Sequence, residues 1–143
     1  MTESENEKLV EKIFESWNQH DTEAWMSLLS DDYTYVGQRT TYGKEGHRKS
    51  LDFLAFPDSK FRIERMVSQG NTTVVEYNMT GTNTGDLPER RATNKKIDHR
   101  IVSIFEFEAG KIKLWNTYFD LTKRLEQLYE DIYAEVGEKI RQK

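Results

Sequence analysis

The sequence predicts an α+β protein in which helices come first and a meander of strands follows. Three observations support this prediction. Apolar residues recur at helical spacing in the N-terminal third, and after Pro57 they alternate as in strands. At the C-terminal end they return to helical spacing. The length of 143 residues fits one domain, 1–143, better than two.

Three helices are predicted before Pro57. Leu9, Ile13 and Trp17 lie on one face of the first helix, which should therefore be amphipathic. Asp21 is placed to cap the second helix, and Pro57 ends the third. The predicted ranges are Glu5–Gln19, Thr22–Leu29 and Lys44–Ala55.

A short strand before the third helix and four longer strands after it complete the predicted core. "QGN" and "EAGK" are the predicted hairpin turns, and the polar segment "GTNTGDLPERRATN" is the long connection between the two hairpins. The tail should form a helix with one apolar stripe, which packs on its own sheet or on a second chain. The predicted strands are Tyr33–Val36, Phe61–Ser68, Thr72–Thr82, Lys96–Phe107 and Ile112–Asp120, and the tail helix is Leu121–Lys143.

Composition argues against several classes of function. The net charge is −4, whereas nucleic-acid-binding proteins usually carry a basic surface. No cysteine is present, and the three histidines have no metal-site spacing, so we expect no metal site. The polar start of the chain and the lack of a long apolar run predict a cytoplasmic protein without membrane contact.

The last hairpin can be given a register from its side chains. With Ala109 and Gly110 at the centre of the turn, Phe107 faces Ile112 and Glu106 faces Lys113, so apolar meets apolar and acid meets base. Extending this register predicts three further facing pairs: Ser103 with Asn116, Ile101 with Tyr118, and His99 with Asp120. A bulge would break this projection.

This register predicts a pocket, because one strand face begins with Leu114 and ends with Asp120. We expect Asp120 and His99 to be catalytic, with Asp120 moving a proton and His99 tuning or sharing it. Asn116 and Tyr118 would bind the substrate by polarising its oxygen. In the alternative, Asp120 caps the following helix and His99 is only its hydrogen-bond partner.

Aromatic residues supply the predicted apolar wall of this pocket. We expect Trp17, Tyr35 and Tyr77 to contact the substrate there. Trp115 lies on the opposite strand face in the predicted register, where it would meet a partner subunit. His47 is surrounded by charged residues in the sequence, which predicts a solvated helix face.

Four segments of the sequence resemble the SnoaL-like polyketide cyclase family of the nuclear transport factor 2-like superfamily. They are "FESWNQHDTEAWMSLLSDDYTYVG", "GKEGHRKSLDFLAFPDSKFRIE", "GTNTG" and "IFEFEAGKIKLWNTYFD". The resemblance implies a cone in which three N-terminal helices pack on a strongly curved, mostly antiparallel sheet. It also implies a pocket at the open end, usually a dimer through the outer sheet face, and no metal or cofactor.

Within that family the cyclases use a pocket aspartate as acid and base, and Asp120 lies where that residue is expected. Two positions depart from the family's pattern. Asn83 stands where the family often has histidine, and Asn116 stands where tryptophan is common.

The predicted function is a cofactor-free cyclase, isomerase or hydrolase that acts on a small, largely apolar carbonyl compound. A non-catalytic binding or sensing domain with the same pocket is one alternative, and a dimeric interaction module is another. The predicted partners are a small-molecule ligand and a second copy of the chain.

Overall fold

The computed structural model describes residues 1–50, 53–87, 90–129 and 139–142. Helices precede the long strands, as the sequence predicts. The helices are α1 (Glu3–Asn18), α2 (Thr22–Met26), α3 (Lys44–Ser50) and α4 (Leu121–Leu128). The strands are β1 (Leu29–Val36), β2 (Thr41–Tyr42), β3 (Lys60–Gln69), β4 (Thr72–Thr82), β5 (Lys96–Glu108) and β6 (Lys111–Phe119).

The strands form one six-stranded sheet in the order β2-β1-β6-β5-β4-β3. All neighbouring pairs are antiparallel except β1 and β6, which run parallel. Register shifts interrupt β3–β4 between Ile63 and Arg65 and β5–β6 between Glu106 and Phe107. Such bulges bend and twist strands, which suits a curved open sheet. The predicted α+β class with a curved, mostly antiparallel sheet is therefore confirmed.

Helix α1 packs against β3 and β4 and carries much of the core. Its start is fixed by a capping box, in which the Thr2 hydroxyl accepts from the Glu5 N–H and the Glu5 carboxylate accepts from the Thr2 N–H. Val10, Ile13 and Phe14 are buried on its inner face. The predicted apolar stripe is thus the face that closes over the sheet.

The β5–β6 turn forms as predicted. Ala109 and Gly110 have φ angles of 51° and 78°, which is the left-handed pair that a two-residue type I′ turn requires. Phe107 pairs with Ile112, as the side-chain pattern indicates. The predicted pairing of Glu106 with Lys113 is wrong. The Lys113 ammonium instead lies 2.9 Å from the Glu108 carboxylate.

Beyond the turn the predicted register is wrong by one residue. The bulge between Glu106 and Phe107 places Trp115 opposite Phe105, Thr117 opposite Ser103 and Phe119 opposite Ile101. Since side chains alternate along a strand, a one-residue shift exchanges the two faces of β6.

The faces of the predicted site residues change accordingly. Asn116 lies opposite Ile104 and Tyr118 opposite Val102, on the outer face of the sheet. The Tyr118 side chain is 55% exposed, whereas Trp115 is fully buried in the core. The predicted pairing of Asn116 with Ser103 and of Tyr118 with Ile101 is therefore wrong, as is the outward position predicted for Trp115.

Several element boundaries also differ from the predictions; for example, α2 ends at Met26 and not at Leu29. Strand β1 begins at Leu29, so "SDD" belongs to the strand instead of forming a turn. Helix α4 starts at Leu121 as predicted, and most of the predicted tail helix beyond Tyr129 lies outside the described residues. Within the described part of the chain, no helix has the length and apolar character needed to cross a membrane.

Candidate active site

A cavity of about 120 Å³ lies between the concave sheet face and helices α1, α3 and α4. Aromatic side chains form its inner part, where Trp17 from α1 and Tyr77 from β4 are buried and Tyr35 from β1 is half-buried. Half-buried residues form its outer part, including Phe53, Phe119 and Arg124. The cavity therefore has an apolar interior and a mouth beside the first turn of α4.

Aromatic stacking fixes the inner wall. The rings of Trp17 and Trp115 stack with centroids 4.8 Å apart, and the ring of Tyr35 stacks on His47 at 4.0 Å. Stacked pairs of this kind add about 0.5–1.5 kcal/mol to the energy of burial. These side chains are therefore held in place before any ligand binds.

The structure places Trp17, Tyr35 and Tyr77 in the cavity lining. These are the three aromatic residues that the sequence suggested for a pocket wall. Contact between these residues and a substrate stays a prediction.

His47 is the titratable group that the sequence analysis misplaced. Its side chain is 2% exposed and lines the cavity, so the prediction of a solvated helix face is wrong. Its Nδ1 atom lies 2.7 Å from the Tyr33 hydroxyl. The sequence signal was its spacing, because His47 lies four residues before Leu51 in the sequence, within the range predicted as helix.

Burial lowers the pKa of His47 to about 3, so the imidazole is neutral at pH 7. Burial also raises the pKa of the Tyr33 hydroxyl, which keeps its proton. His47 is the one side-chain hydrogen-bond partner that Tyr33 has within the described residues, and which of the two atoms donates depends on the tautomer of the imidazole. In the tautomer in which the hydroxyl donates to Nδ1, the ring hydrogen is on Nε2, and this nitrogen is left to a ligand.

A buried hydroxyl network forms the floor beside this histidine. The Ser103 hydroxyl lies 2.9 Å from the Tyr77 hydroxyl and 3.0 Å from that of Thr117, and it accepts from Trp115 Nε1 at 3.0 Å. Thr117 also lines the cavity. Each of these groups has a hydrogen-bond partner, as buried polar groups usually do. Because the groups are hydroxyls and an indole N–H, the floor of the cavity is polar and uncharged.

The mouth is closed on one side by α4. The guanidinium of Arg124 lies over the rings of Phe56 and Phe119, at 5.3 Å and 5.9 Å from their centroids. Gln127 anchors the helix further along, because its Oε1 accepts from the Asp98 N–H at 2.9 Å and its Nε2 donates to the Asp98 carbonyl at 2.8 Å. The first turn of α4 therefore sets the width of the cavity entrance.

Asp120 caps α4. Its carboxylate accepts a hydrogen bond of 3.1 Å from the Lys123 N–H, and the side chain is exposed. The cap of the alternative is thus confirmed, but its second part is wrong, because His99 is not a hydrogen-bond partner of Asp120. The predicted strand pairing of Asp120 with His99 is also wrong, because β6 ends at Phe119. Asp120 follows a residue of the cavity mouth, and its role as acid and base stays a prediction.

His99 lies on the concave face of β5 but outside the cavity lining. It is 2% exposed, and its ring makes a T-shaped contact with Phe119 at 5.4 Å. Burial, together with the nearby positive charges of Arg124 and Lys123, lowers its pKa to about 4. Neither ring nitrogen has a hydrogen-bond partner within the described residues.

The remaining motifs have structural roles. Asn83 of "GTNTG" is buried and accepts from the Thr93 N–H at 3.0 Å, which holds the two ends of the long connection together. His20 hydrogen-bonds to Ser59 at 3.1 Å and stacks on Phe53. Among the residues the structure describes, no three histidine or acidic side chains are close enough to hold a metal ion.

A family model described as the SnoaL-like domain matches residues 10–115 of this sequence. The chain belongs to the SnoaL-like domain family. The matched range extends from α1 to the middle of β6 and so includes most of the cavity lining. Among curated proteins, none matches the sequence.

Solved structures with the same fold support this assignment. AclR, a candidate hydroxylase from Streptomyces galilaeus, has 16% identity, a TM-score of 0.83 and coverage of 98% of this chain and 94% of its own. A candidate SnoaL-like polyketide cyclase from Jannaschia Sp. CCS1 has 19% identity, a TM-score of 0.81 and coverage of 88% and 92%. IdmH, a candidate polyketide cyclase from Streptomyces antibioticus, has 18% identity, a TM-score of 0.74 and coverage of 85% and 96%. At these identities the likeness shows the fold alone.

Proposed function

We propose that this SnoaL-like protein is a cofactor-free enzyme that acts on a small, largely apolar carbonyl compound bound in the cavity. One observation carries the proposal: a neutral imidazole, His47, is fixed between Tyr33 and Tyr35 at the wall of an aromatic cavity. An aromatic wall suits an apolar ligand, and a single fixed donor suits its oxygen. The solved neighbours described as candidate polyketide cyclases act as a supporting analogy.

The size of the cavity limits the part of the substrate that it holds. An engineered apolar cavity of about 150 Å³ binds benzene. The volume of about 120 Å³ in this protein therefore suits one small ring or the end of a chain. A larger substrate would extend past Phe119 and Arg124 at the mouth.

In this proposal His47 donates from Nε2 to the substrate oxygen and does not act as the base. Protonating a histidine whose pKa is about 3 costs roughly 5 kcal/mol at pH 7. A neutral donor avoids this cost and strengthens its hydrogen bond as the oxygen gains negative charge in an enolate.

The proposed proton acceptor is Asp120, next to the mouth residue Phe119. Its carboxylate is exposed and serves as a helix cap, so it would act on a carbon near the entrance. Asp120→Asn tests this role cleanly, because asparagine caps helices as well as aspartate does.

The test measures exchange of α-hydrogens of cyclohexanone in D₂O by NMR, with binding followed on the same samples. We expect the protein to bind the ketone and accelerate exchange, and we expect His47→Gln to weaken both. Asp120→Asn should abolish exchange and leave the helical signal of α4 unchanged. If Asp120→Asn exchanges as fast as the wild type, the assignment of the base is refuted.

The second candidate function is a non-catalytic binding domain. The low pKa of His47 favours it, because the histidine inside the cavity cannot take up a proton at neutral pH. Binding of ketones that depends on His47, together with no acceleration of exchange, would support this candidate over the enzyme.

We also propose that the chain forms a homodimer through the outer face of the sheet. Val67, Val74 and Tyr118 are exposed there by 58%, 36% and 55%. Tyr118→Glu should convert a dimer to a monomer in light scattering after size-exclusion chromatography. Leu54→Glu is the matched control, because Leu54 is 87% exposed away from the sheet. A wild-type monomer would rule the dimer out.

A further inference from the structure

His99 is a buried polar side chain whose hydrogen bonds are missing. Its ring is 2% exposed, and both Nδ1 and Nε2 lack a partner within the described residues. Two of its neighbours are apolar: it lies opposite Met79 in the sheet and against the ring of Phe119. An apolar side chain of similar size would suit this place better for stability, because an unpaired buried polar group costs free energy.

The position of His99 connects it to the cavity. Ile101, Met79 and Phe119 all line the cavity, and all three are neighbours of His99. Ile101 is two residues along the same face of β5, a distance of roughly 7 Å. His99 therefore lies directly beyond the wall of the cavity, on the side of α4.

Met79, Ile101 and Phe119 form the part of the cavity wall that is next to His99. Phe119 is half-buried at the end of β6, and the guanidinium of Arg124 lies over it. Rotation of these two side chains would open the Phe119 side of the cavity toward His99. Exposed or half-buried side chains change rotamer on fast timescales, so such a change is available to a ligand.

We propose that His99 is a second polar anchor for the ligand, which binds an oxygen at the far end of a chain that leaves the cavity beneath α4. This inference rests on the proposed function of the cavity. Because the imidazole is neutral at pH 7, it offers one N–H donor and one nitrogen acceptor, and so it selects a carbonyl or hydroxyl group over a charged one.

The spacing of the two anchors defines the substrate class. His47 contacts Trp115 and His99 contacts Phe119, and these two residues are four apart on β6, or roughly 13 Å along the strand. This length of strand is longer than one small ring. The ligand that the proposal assigns to both histidines is therefore a carbonyl compound with a second oxygen function at the end of a chain.

The experiment compares 2-decanone with decane-2,9-dione, which have the same chain length and differ in the second oxygen. Affinities of the full chain are measured by calorimetry at pH 7. We expect the diketone to bind about tenfold more tightly, which corresponds to one recovered buried hydrogen bond. In His99→Leu this ratio should fall to near one, while the melting temperature rises because the unpaired polar atoms are gone.

Two further variants distinguish this inference from the proposed function. Arg100→Gln, an exposed neighbour on the outer face of β5, should keep the tenfold ratio. His47→Gln should weaken both ketones, because it removes the anchor inside the cavity.

Several results would overturn the inference. A ratio near one in the wild type, with measurable binding of 2-decanone, overturns it alone and leaves the proposed function intact. A tenfold ratio that persists in His99→Leu also overturns the inference alone. A lower melting temperature in His99→Leu would assign His99 a structural role. No binding of either ketone overturns both proposals.

Discussion

Acid should destabilise this protein through its two buried histidines. The pKa values of His47 and His99 fall from 6.5 to about 3 and about 4 on folding. In the unfolded chain both residues take up a proton as the pH falls below 6.5, whereas in the folded chain they resist it. Stability is therefore complete above pH 6.5 and is lost as the pH falls toward these lower values.

The size of the loss follows from the two pKa values. Between pH 7 and pH 5 the unfolded chain gains about 0.7 proton at each histidine, and the folded chain gains little. Each histidine should therefore lower the free energy of unfolding by about 2 kcal/mol over this interval, and the two together by about 4 kcal/mol. A loss of this size is a substantial part of the total stability of a small domain.

Urea unfolding followed by tryptophan fluorescence measures this dependence, since all three tryptophans are buried. His47→Gln keeps a polar partner for Tyr33. Between pH 7 and pH 5 its free energy of unfolding should fall by about 2 kcal/mol less than that of the wild type. The double variant with His99→Leu should lose about 4 kcal/mol less. The contribution of carboxylates is common to all variants and cancels. If His47→Gln follows the wild-type curve, the conclusion that His47 is neutral in the folded protein is refuted.

Three further substitutions test the structure around the site. Asp120→Ala removes the helix cap and should cost about 1 kcal/mol, measured by urea unfolding, whereas Asp120→Asn should cost nothing; equal losses would contradict capping. Ser103→Ala leaves three partners without their shared hydroxyl and should lower stability by about 1–3 kcal/mol, and an unchanged unfolding midpoint would argue against the network. Trp115→Ala should lower the free energy of unfolding of the monomer by about 3–5 kcal/mol, because its ring is fully buried. A small loss that appears only in dimer assembly would indicate instead that Trp115 faces outward, as the sequence predicted.

Much of the fold could be predicted from local sequence. The spacing of apolar residues identified α1 and the four long strands, and the positive-φ turn at Ala109 and Gly110 followed from its sequence. The caps at Asp21 and Asp120 were also readable, because a short carboxylate before a helix is a local signal. These features depend on interactions between residues that are near each other in the chain.

The candidate site was less predictable. Trp17, Tyr35 and Tyr77 were identified as wall residues because large aromatic side chains near the chain's apolar positions are buried in most arrangements. His47 was missed because its flanking charges suggest solvent, and its burial comes from rings on α2, β1 and β6 that are distant in sequence. The spacing of His47 from Leu51 is a local signal, and it does not report on such distant neighbours.

The sequence by itself determined the types of the main elements, the hairpin turn and the cap of α4, because periodicity, turn geometry and capping are local properties. Only the tertiary structure decided which face of β6 looks into the cone. One bulge between Glu106 and Phe107 buries Trp115 and Thr117 and turns Asn116 and Tyr118 outward. That bulge satisfies the curvature of a sheet that must close around α1 and its aromatic core, a requirement set by residues throughout the chain.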